Sequence, residues 1–214
     1  TPEEEAEKYI TIEAGPTDTD TPDTNVPDIK TALDGARNIL MERFSEDAEL
    51  LGKIRAFLTE NAVLTSEAEE SKQKKGAKYR DYFEYREPLK RIPSHRALAV
   101  FRGQKEGILQ VSLTIDKGSD TESHPCEAMV ASHFNLANQG RPADKWLLEA
   151  VRWTWRVKIM VHLERDLLGN LKEQAEREAI KVYSHNLEDL LMAAPAGPST
   201  TMGLDPGLRT GVKL

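Results

Sequence analysis

The sequence has almost no cysteine, no long apolar run and no paired nucleophile and base, and each absence narrows what it can be. One thiol, Cys126, in 214 residues rules out an internal disulfide and any multi-cysteine zinc cage, and it suits a reducing compartment. No apolar stretch approaches the ~18 residues of a membrane span, and no signal segment is recognisable, so a cytoplasmic protein with no membrane partner is expected. No residue pair resembles an activated nucleophile with its base, and no cofactor or small-molecule substrate is expected. The chain also begins without methionine and closes on a turn-rich stretch, Gly203 to Gly211, leading into Val212 and Leu214. That ending reads as the first strand of a domain left unfinished, and the 214 residues as a middle piece of a longer protein.

What the chain has in quantity is charge: 30% of its residues are Asp, Glu, Lys or Arg, with a net of −7. A uniformly acidic surface would repel a polyanion, but the charge is uneven. Residues 1–71 hold 18 acids against 6 bases, residues 72–105 hold 11 bases against 3 acids, and residues 106–214 hold 15 acids against 12 bases. The acidic average conceals a basic island.

Glu3 to Ile12 suits a short helix, and Pro16, Pro22 and Pro27 make 13–27 a linker or long loop. Ile29, Ala32, Leu33, Ala36 and Leu40 then form one stripe of an amphipathic helix with Asp28 as its cap. A second helix is expected after Ser45 as N-cap, with Leu51, Ile54 and Leu58 on its apolar face. Further on, Ser94 is placed as an N-cap, Ala97, Leu98 and Phe101 as a short apolar face, and Gly103 as a C-cap. Alternation from Ile108 to Ile115 predicts a half-buried strand that ends in a turn at Asp116–Ser119.

From Pro142 the chain is strongly helical. Leu148, Val151, Trp155, Ile159, Leu163 and Leu167 predict a helix of about 25 residues, roughly 38 Å long. Trp146, Trp153, Val157 and Val161 lie off that stripe, so burial all round is expected, with Trp153 and Trp155 in the core. Gly169-Asn170 reads as a break or bend. Leu171, Ala175, Val182, Leu187, Leu190 and Leu191 then define a second long helix up to Pro195, and Glu173, Arg177 and Lys181 make surface ion pairs along it.

The island itself runs from Lys72 through Lys74, Lys75, Lys78, Arg80, Arg86, Lys90, Arg91 and Arg96 to Arg102, interleaved with Tyr79, Tyr82, Phe83 and Tyr85. Cations neutralise phosphates and aromatic faces stack on unpaired bases, so this mixture has the composition of a nucleic-acid contact. The rings read more simply as core, since Tyr79, Tyr82, Phe83 and Leu89 fall roughly on one helix face. The cations divide between solvated surface and phosphate contact. Their clustering in an acidic chain makes Lys74, Lys75, Lys78, Arg80, Arg86, Lys90, Arg91, Arg96 and Arg102 the candidate nucleic-acid-binding residues.

Two stretches carry a resemblance. Lys78-Tyr79-Arg80-Asp81-Tyr82-Phe83, Pro88-Leu89 and Ile92-Pro93-Ser94-His95-Arg96-Ala97-Leu98-Ala99 resemble the signature of the bacterial Tex proteins, transcription accessory factors that bind RNA. Leu190 to Pro198, running into Gly203-Leu204-Asp205-Pro206-Gly207-Leu208-Arg209-Thr210-Gly211, resembles the junction where that family's YqgF domain, of RNase H/RuvC type, begins. The resemblance implies an order of helical region, YqgF domain, helix-hairpin-helix module and RNA-binding OB-fold, of which this chain would hold the first and the opening strand of the second.

It also makes Asp205 the one candidate catalytic carboxylate, since an aspartate on the first strand of such nucleases helps hold divalent metals. The partner acids are not in this chain, so a turn aspartate before a strand is the expected role. His124, Cys126 and His133 lie close in sequence but lack a fourth ligand. Capping by Ser123 with Pro125 in the first turn, and a small buried thiol, explain them, and no metal is expected. His95, next to Arg96, reads as a packing or backbone-bonding residue.

The expected fold is mainly α: an acidic segment and linker over 1–27, a helical region over 28–198 with two long packed helices and one short strand near 108–115, and the first strand of a truncated α/β domain over 199–214. The expected function is a helical scaffold of an RNA-binding transcription accessory protein, not itself an enzyme, whose partner is RNA or DNA. Docking to the transcription machinery, or a share in a metal-dependent nuclease, are the alternatives.

Overall fold

Two aspartates start the helical framework. The computed structural model describes residues 1–11, 26–115, 124–195, 197–207 and 211–213. Asp28 Oδ1 accepts the Thr31 N–H at 2.7 Å and Asp47 Oδ1 accepts the Leu50 N–H at 2.7 Å, each satisfying a donor that a helix start leaves open. Asp28 caps α2 (Ile29–Ser45) and Asp47 caps α3 (Ala48–Asn61); Ser45, expected to cap the second helix, is instead the last residue of the first. A short α1 (Pro2–Ala6) precedes them and continues as a 3-10 turn over Glu7–Tyr9. The linker expected over 13–27 lies almost wholly outside the described residues.

Leu50, Ile54 and Leu58 of α3 are buried, worth about 1.5–3 kcal/mol each on transfer from water. Their neighbours in the core include Phe44 of α2, Trp155, Ile159 and Leu163. The apolar stripe of α2 behaves differently. Only Met41 and Phe44 of that helix are buried, while Ala32, Leu33, Ala36 and Ile39 line an open apolar groove with Ala6, Tyr9, Trp146 and Leu147.

Between the helices lies an antiparallel sheet of β1 (Ala62–Ala68), β2 (Glu84–Pro88) and β3 (Leu109–Ile115), in the order β2-β1-β3. Leu64 pairs with Leu113 and with Glu87 across the two ladders. The strand expected near 108–115 is β3; β1 and β2 carry no comparable alternation of apolar and polar residues. The helical face expected for Tyr79, Tyr82, Phe83 and Leu89 does not form. A short α4 (Glu70–Gln73) and a 3-10 turn over Ala77–Tyr82 lead into β2, and Leu89–Arg91 is a second 3-10 turn. Tyr79 and Leu89 are buried from separate turns.

Helix α5 (Ser94–Lys105) begins with Ser94 as its first residue, so the capping position falls to Pro93. Gly103 does not end it. The residue is buried inside the helix, where an added Cβ would lie 2.5 Å from Leu109 Cδ1 and 3.4 Å from Tyr79 Cδ1. The left-handed turn belongs to Gly107, with φ of 71°, a conformation glycine adopts without strain.

The remaining helices are α6 (Pro125–His133), α7 (Asp144–Trp153) and α8 (Met160–Leu191), with a π-helical turn over Thr154–Ile159 joining the last two. Asp144 is buried. Burial alone would push its carboxyl up, but the N–H groups of Gln139 and Arg141 and the Arg141 guanidinium outweigh that and hold it below the usual range. The helix runs through Gly169-Asn170, because one glycine costs only about 1 kcal/mol relative to alanine and Leu167, Leu168 and Leu171 pack on either side of it. Burial all round is also corrected. Trp155, Ile159, Leu163 and Leu167 face the core, whereas Trp153, Val157 and Val161 are each about half exposed.

The described chain divides into two units, Thr1–Glu176 and the part from Arg177 onward. In the second unit the end of α8 carries Ile180, Tyr183, Leu187, Leu190 and Leu191 exposed. Beyond it, β4 (Asp205–Gly207) pairs antiparallel with β5 (Gly211–Lys213), Asp205 opposite Lys213. Leu214 lies outside the described residues.

Candidate nucleic-acid interface

The fold separates the linear basic island into two ends of α5. Lys74 and Lys75 follow α4, and Lys78 and Arg80 sit on the 3-10 turn whose Tyr79 packs against Gly103 near the C-terminal end of α5. Arg102 and Lys105 lie in the last turn of that helix, where a cation also complements the helix dipole. Lys90, Arg91 and Arg96 are grouped at the other end, on the turn before α5 and in its first turn. Twelve residues of helix set the two groups apart by roughly 16 Å. Arg86 belongs to neither; it lies on β2 opposite Thr65, whose hydroxyl meets that of Ser112 at 2.8 Å.

Glu106 organises the first group. Its carboxylate accepts from Lys78 Nζ at 2.8 Å and from the Tyr79 hydroxyl at 2.8 Å, and Lys78 also stands 4.9 Å from the Tyr79 ring centroid. These bonds hold the Glu106 carboxyl below the usual range, the Lys78 contact most of all, and raise Lys78 in return. Burial, then the bond to Glu106, pushes the Tyr79 phenol up. The ring is therefore a buried anchor rather than a stacking platform. Lys74, Lys75, Arg80 and Arg102 are exposed and make no ion pair among the described residues.

In the second group the cations are partly committed. Lys90 Nζ pairs with Glu60 Oε2 at 2.6 Å, and Arg96 Nη1 lies 3.3 Å from Glu87 Oε2. Arg91 is exposed with no ion pair among the described residues. Lys90 and Glu60 are both exposed, and a pair of that kind contributes about 0–1 kcal/mol, so a phosphate can compete for Lys90.

The other candidates do not converge. His124 Nδ1 accepts the Cys126 N–H at 3.2 Å, capping α6 in the place expected for Ser123, which lies outside the described residues. Its ring stacks on Trp155 at 4.8 Å. His133 instead faces Asp47, 3.2 Å away. Asp205 is exposed at the start of β4, and among the described residues no group of three or more His, Cys, Asp or Glu is placed to hold a metal ion. Two arginines outside the island, Arg55 of α3 and Arg165 of α8, line one concavity; 110 residues apart in sequence, they left no local signal of that meeting.

Comparison with known proteins places these elements. Residues 1–183 match the family model described as Tex central region-like. The chain is 52% identical to protein YhgF of Escherichia coli over 217 aligned positions, covering all of this chain and 27% of that protein. Against the transcriptional accessory protein Tex of Neisseria gonorrhoeae it is 49% identical over 191 positions, 88% of this chain and 25% of that protein. More distantly, it is 28% identical over 187 positions to human S1 RNA-binding domain-containing protein 1, 84% of this chain and 19% of that protein. The chain thus spans about a quarter of the length of its nearer curated relatives, and it belongs to the Tex family.

Proposed function

We propose that this Tex-family chain is the scaffold segment of a transcription accessory protein and contacts nucleic acid, RNA or DNA, through the cations at the C-terminal end of α5. The observation that carries the reading is the charge arrangement. In a chain of net charge −7, Lys74, Lys75, Arg80 and Arg102 stand exposed without an ion pair among the described residues, on turns anchored by buried Tyr79 and Gly103. Such cations neutralise phosphates without reading sequence. In this reading the chain acts in the cytoplasm and is not itself an enzyme, and base recognition belongs to other parts of the parent protein. The name of the human relative, an S1 RNA-binding domain protein, supports an RNA-associated parent.

The test is binding of the chain to labelled single-stranded RNA and duplex DNA over a salt series, beside a variant with Lys74, Lys75, Arg80 and Arg102 changed to glutamine. Binding that weakens steeply with salt and fails in the variant supports the proposal. No binding at low salt removes it. A second reading, docking of a protein of the transcription machinery, is favoured by the exposed row of Trp153, Val157 and Val161; salt-insensitive capture lost in Trp153→Ala would select it.

A further inference from the structure

Arg55 and Arg165 line a polar concavity of about 600 Å³ with Asp166, Gly169 and Asn170. Arg55 Nη2 donates to Asp166 Oδ2 at 3.0 Å, and His162 Nε2 lies 3.4 Å from the same oxygen. That pair fixes the Arg55 guanidinium through one nitrogen. Arg165 has no ion pair or hydrogen bond among the described residues, nor does the Asn170 amide. Gly169 leaves open space where a side chain would stand, with nothing within 4 Å of an added Cβ. The one carboxylate lining the concavity is engaged by Arg55 and lies near His162. The lining keeps the remaining N–H groups of Arg55, the whole Arg165 guanidinium and the Asn170 amide, with the guanidinium fork chemistry that holds phosphate oxygens.

We infer that this concavity binds a phosphate group, with a nucleic-acid backbone as its source, an assignment that rests on the proposed nucleic-acid function. Its place in the fold supports that source. Ala97 and Phe101 of α5 pack with Ala175, Leu168 and Leu171 of α8 and with Ile92, so the Arg91 and Arg96 end of the island flanks the same stretch of α8. From Gly169 to Ala175 the helix advances about 9 Å. At 3.6 residues per turn the α5 contact and the concavity lie on different faces of α8. The link between them runs over α3, where Lys90 pairs with Glu60, about 7.5 Å of helix from Arg55. One strand of nucleic acid crossing the exposed face of α3 meets both the second group of cations and the concavity.

The experiment measures binding of the chain to labelled single-stranded RNA over a salt series for the unaltered protein, Arg165→Gln and Asn170→Asp, with thermal midpoints recorded. Arg165 is exposed and unpaired, so its variant keeps the midpoint. The expected result is a loss of about threefold to tenfold at low salt for Arg165→Gln, a salt slope shallower by about 0.7, and a larger loss for Asn170→Asp. Unchanged affinity and slope in both variants overturn the concavity while leaving the nucleic-acid function standing. If the unaltered chain binds neither single-stranded RNA nor duplex DNA at low salt, that function and the backbone source fall together. Titration with inorganic phosphate, read from the Gly169 and Asn170 amide shifts, then decides the rest: a saturable shift lost in Arg165→Gln keeps a free-phosphate site, and no shift overturns it.

Discussion

Glu164 Oε1 accepts the backbone N–H of Leu113 at 2.6 Å, so a carboxylate of α8 occupies the outer edge of β3. That strand is one of the two edges of the sheet, and an open edge is a template for pairing with another chain. The contact also ties helix to sheet over 51 residues of sequence. Removing a charged acceptor from a partly buried donor costs about 1.5–3 kcal/mol. Glu164→Ala should lower the urea-unfolding free energy by that amount and raise aggregation on heating, whereas Glu164→Gln, which keeps an acceptor oxygen, should lose less. Equal losses in the two variants would show that the bond to Leu113 is not what Glu164 supplies.

Gly103 and Gly169, both inside helices, should respond to alanine with opposite signs. At Gly103 the new methyl meets Leu109 Cδ1 at 2.5 Å and Leu109 Cγ at 2.8 Å. Such overpacking costs about 1–3 kcal/mol, more than the ~1 kcal/mol that alanine contributes through helix propensity. Around Gly169 nothing lies within 4 Å, so Gly169→Ala should gain up to about 1 kcal/mol. Thermal midpoints of the two variants check the pair, and a stabilised Gly103→Ala would contradict the packing.

Those two glycines also show what could be read from the sequence. Read locally, each is a helix stop: Gly103 ends an apolar face, and Gly169-Asn170 interrupts a stripe. Whether a glycine stops a helix depends on what lies beside it, and Leu109 and Tyr79 against Gly103, or Leu168 and Leu171 flanking Gly169, are tertiary facts. Periodicity did reveal α3, α5, the α7–α8 run and β3, because each buries one face, and α2, whose stripe largely lines an open apolar groove. It failed for β1 and β2, in which Thr65, Ser66, Glu84 and Glu87 take turns with Leu64 and Tyr85 and no clean alternation survives. The basic island was legible as composition. Its division between the two ends of α5, and the meeting of Arg55 with Arg165, depend on contacts between residues far apart in the chain.

Cys126 is fully buried, and burial together with the neighbouring Glu127 charge pushes its thiol up to about 12. Thiolate is the reactive form, so at mildly alkaline pH the folded chain should leave an aromatic disulfide reagent unreacted, and one equivalent should react after denaturation. Rapid labelling of the native chain would mean that α6 opens readily.

Asp28 and Asp47 make stability depend on acidity. Backbone N–H bonds, from Thr31 and Leu50 respectively, hold both carboxyls below the ordinary aspartate range, and His133 adds to the effect at Asp47. A lowered folded value means that this stabilisation is complete above the unfolded value near 3.9. It is then lost as pH falls through the folded values. Asparagine caps a helix about as well as aspartate but does not titrate. The double variant Asp28→Asn, Asp47→Asn should therefore show a flatter fall in urea midpoint below about pH 4 than the unaltered chain, with similar midpoints near neutrality. Parallel curves would assign the acid sensitivity elsewhere.

Unpaired cations should matter more for nucleic-acid binding than paired ones. Lys90 must leave Glu60 to reach a phosphate, while Lys74, Lys75 and Arg80 have no carboxylate to leave among the described residues. Each phosphate contact on a single strand contributes about 0.7 to the slope of log affinity against log salt. Changing Lys74, Lys75 and Arg80 together to glutamine should make that slope shallower by about 2, and Lys90→Gln alone should move it by much less than 0.7. A full single-contact change from Lys90→Gln would show that the exposed pair with Glu60 opens at little cost, as its small contribution allows. The interface would then extend to the N-terminal end of α5, where Arg91 precedes the helix and Arg96 lies in its first turn.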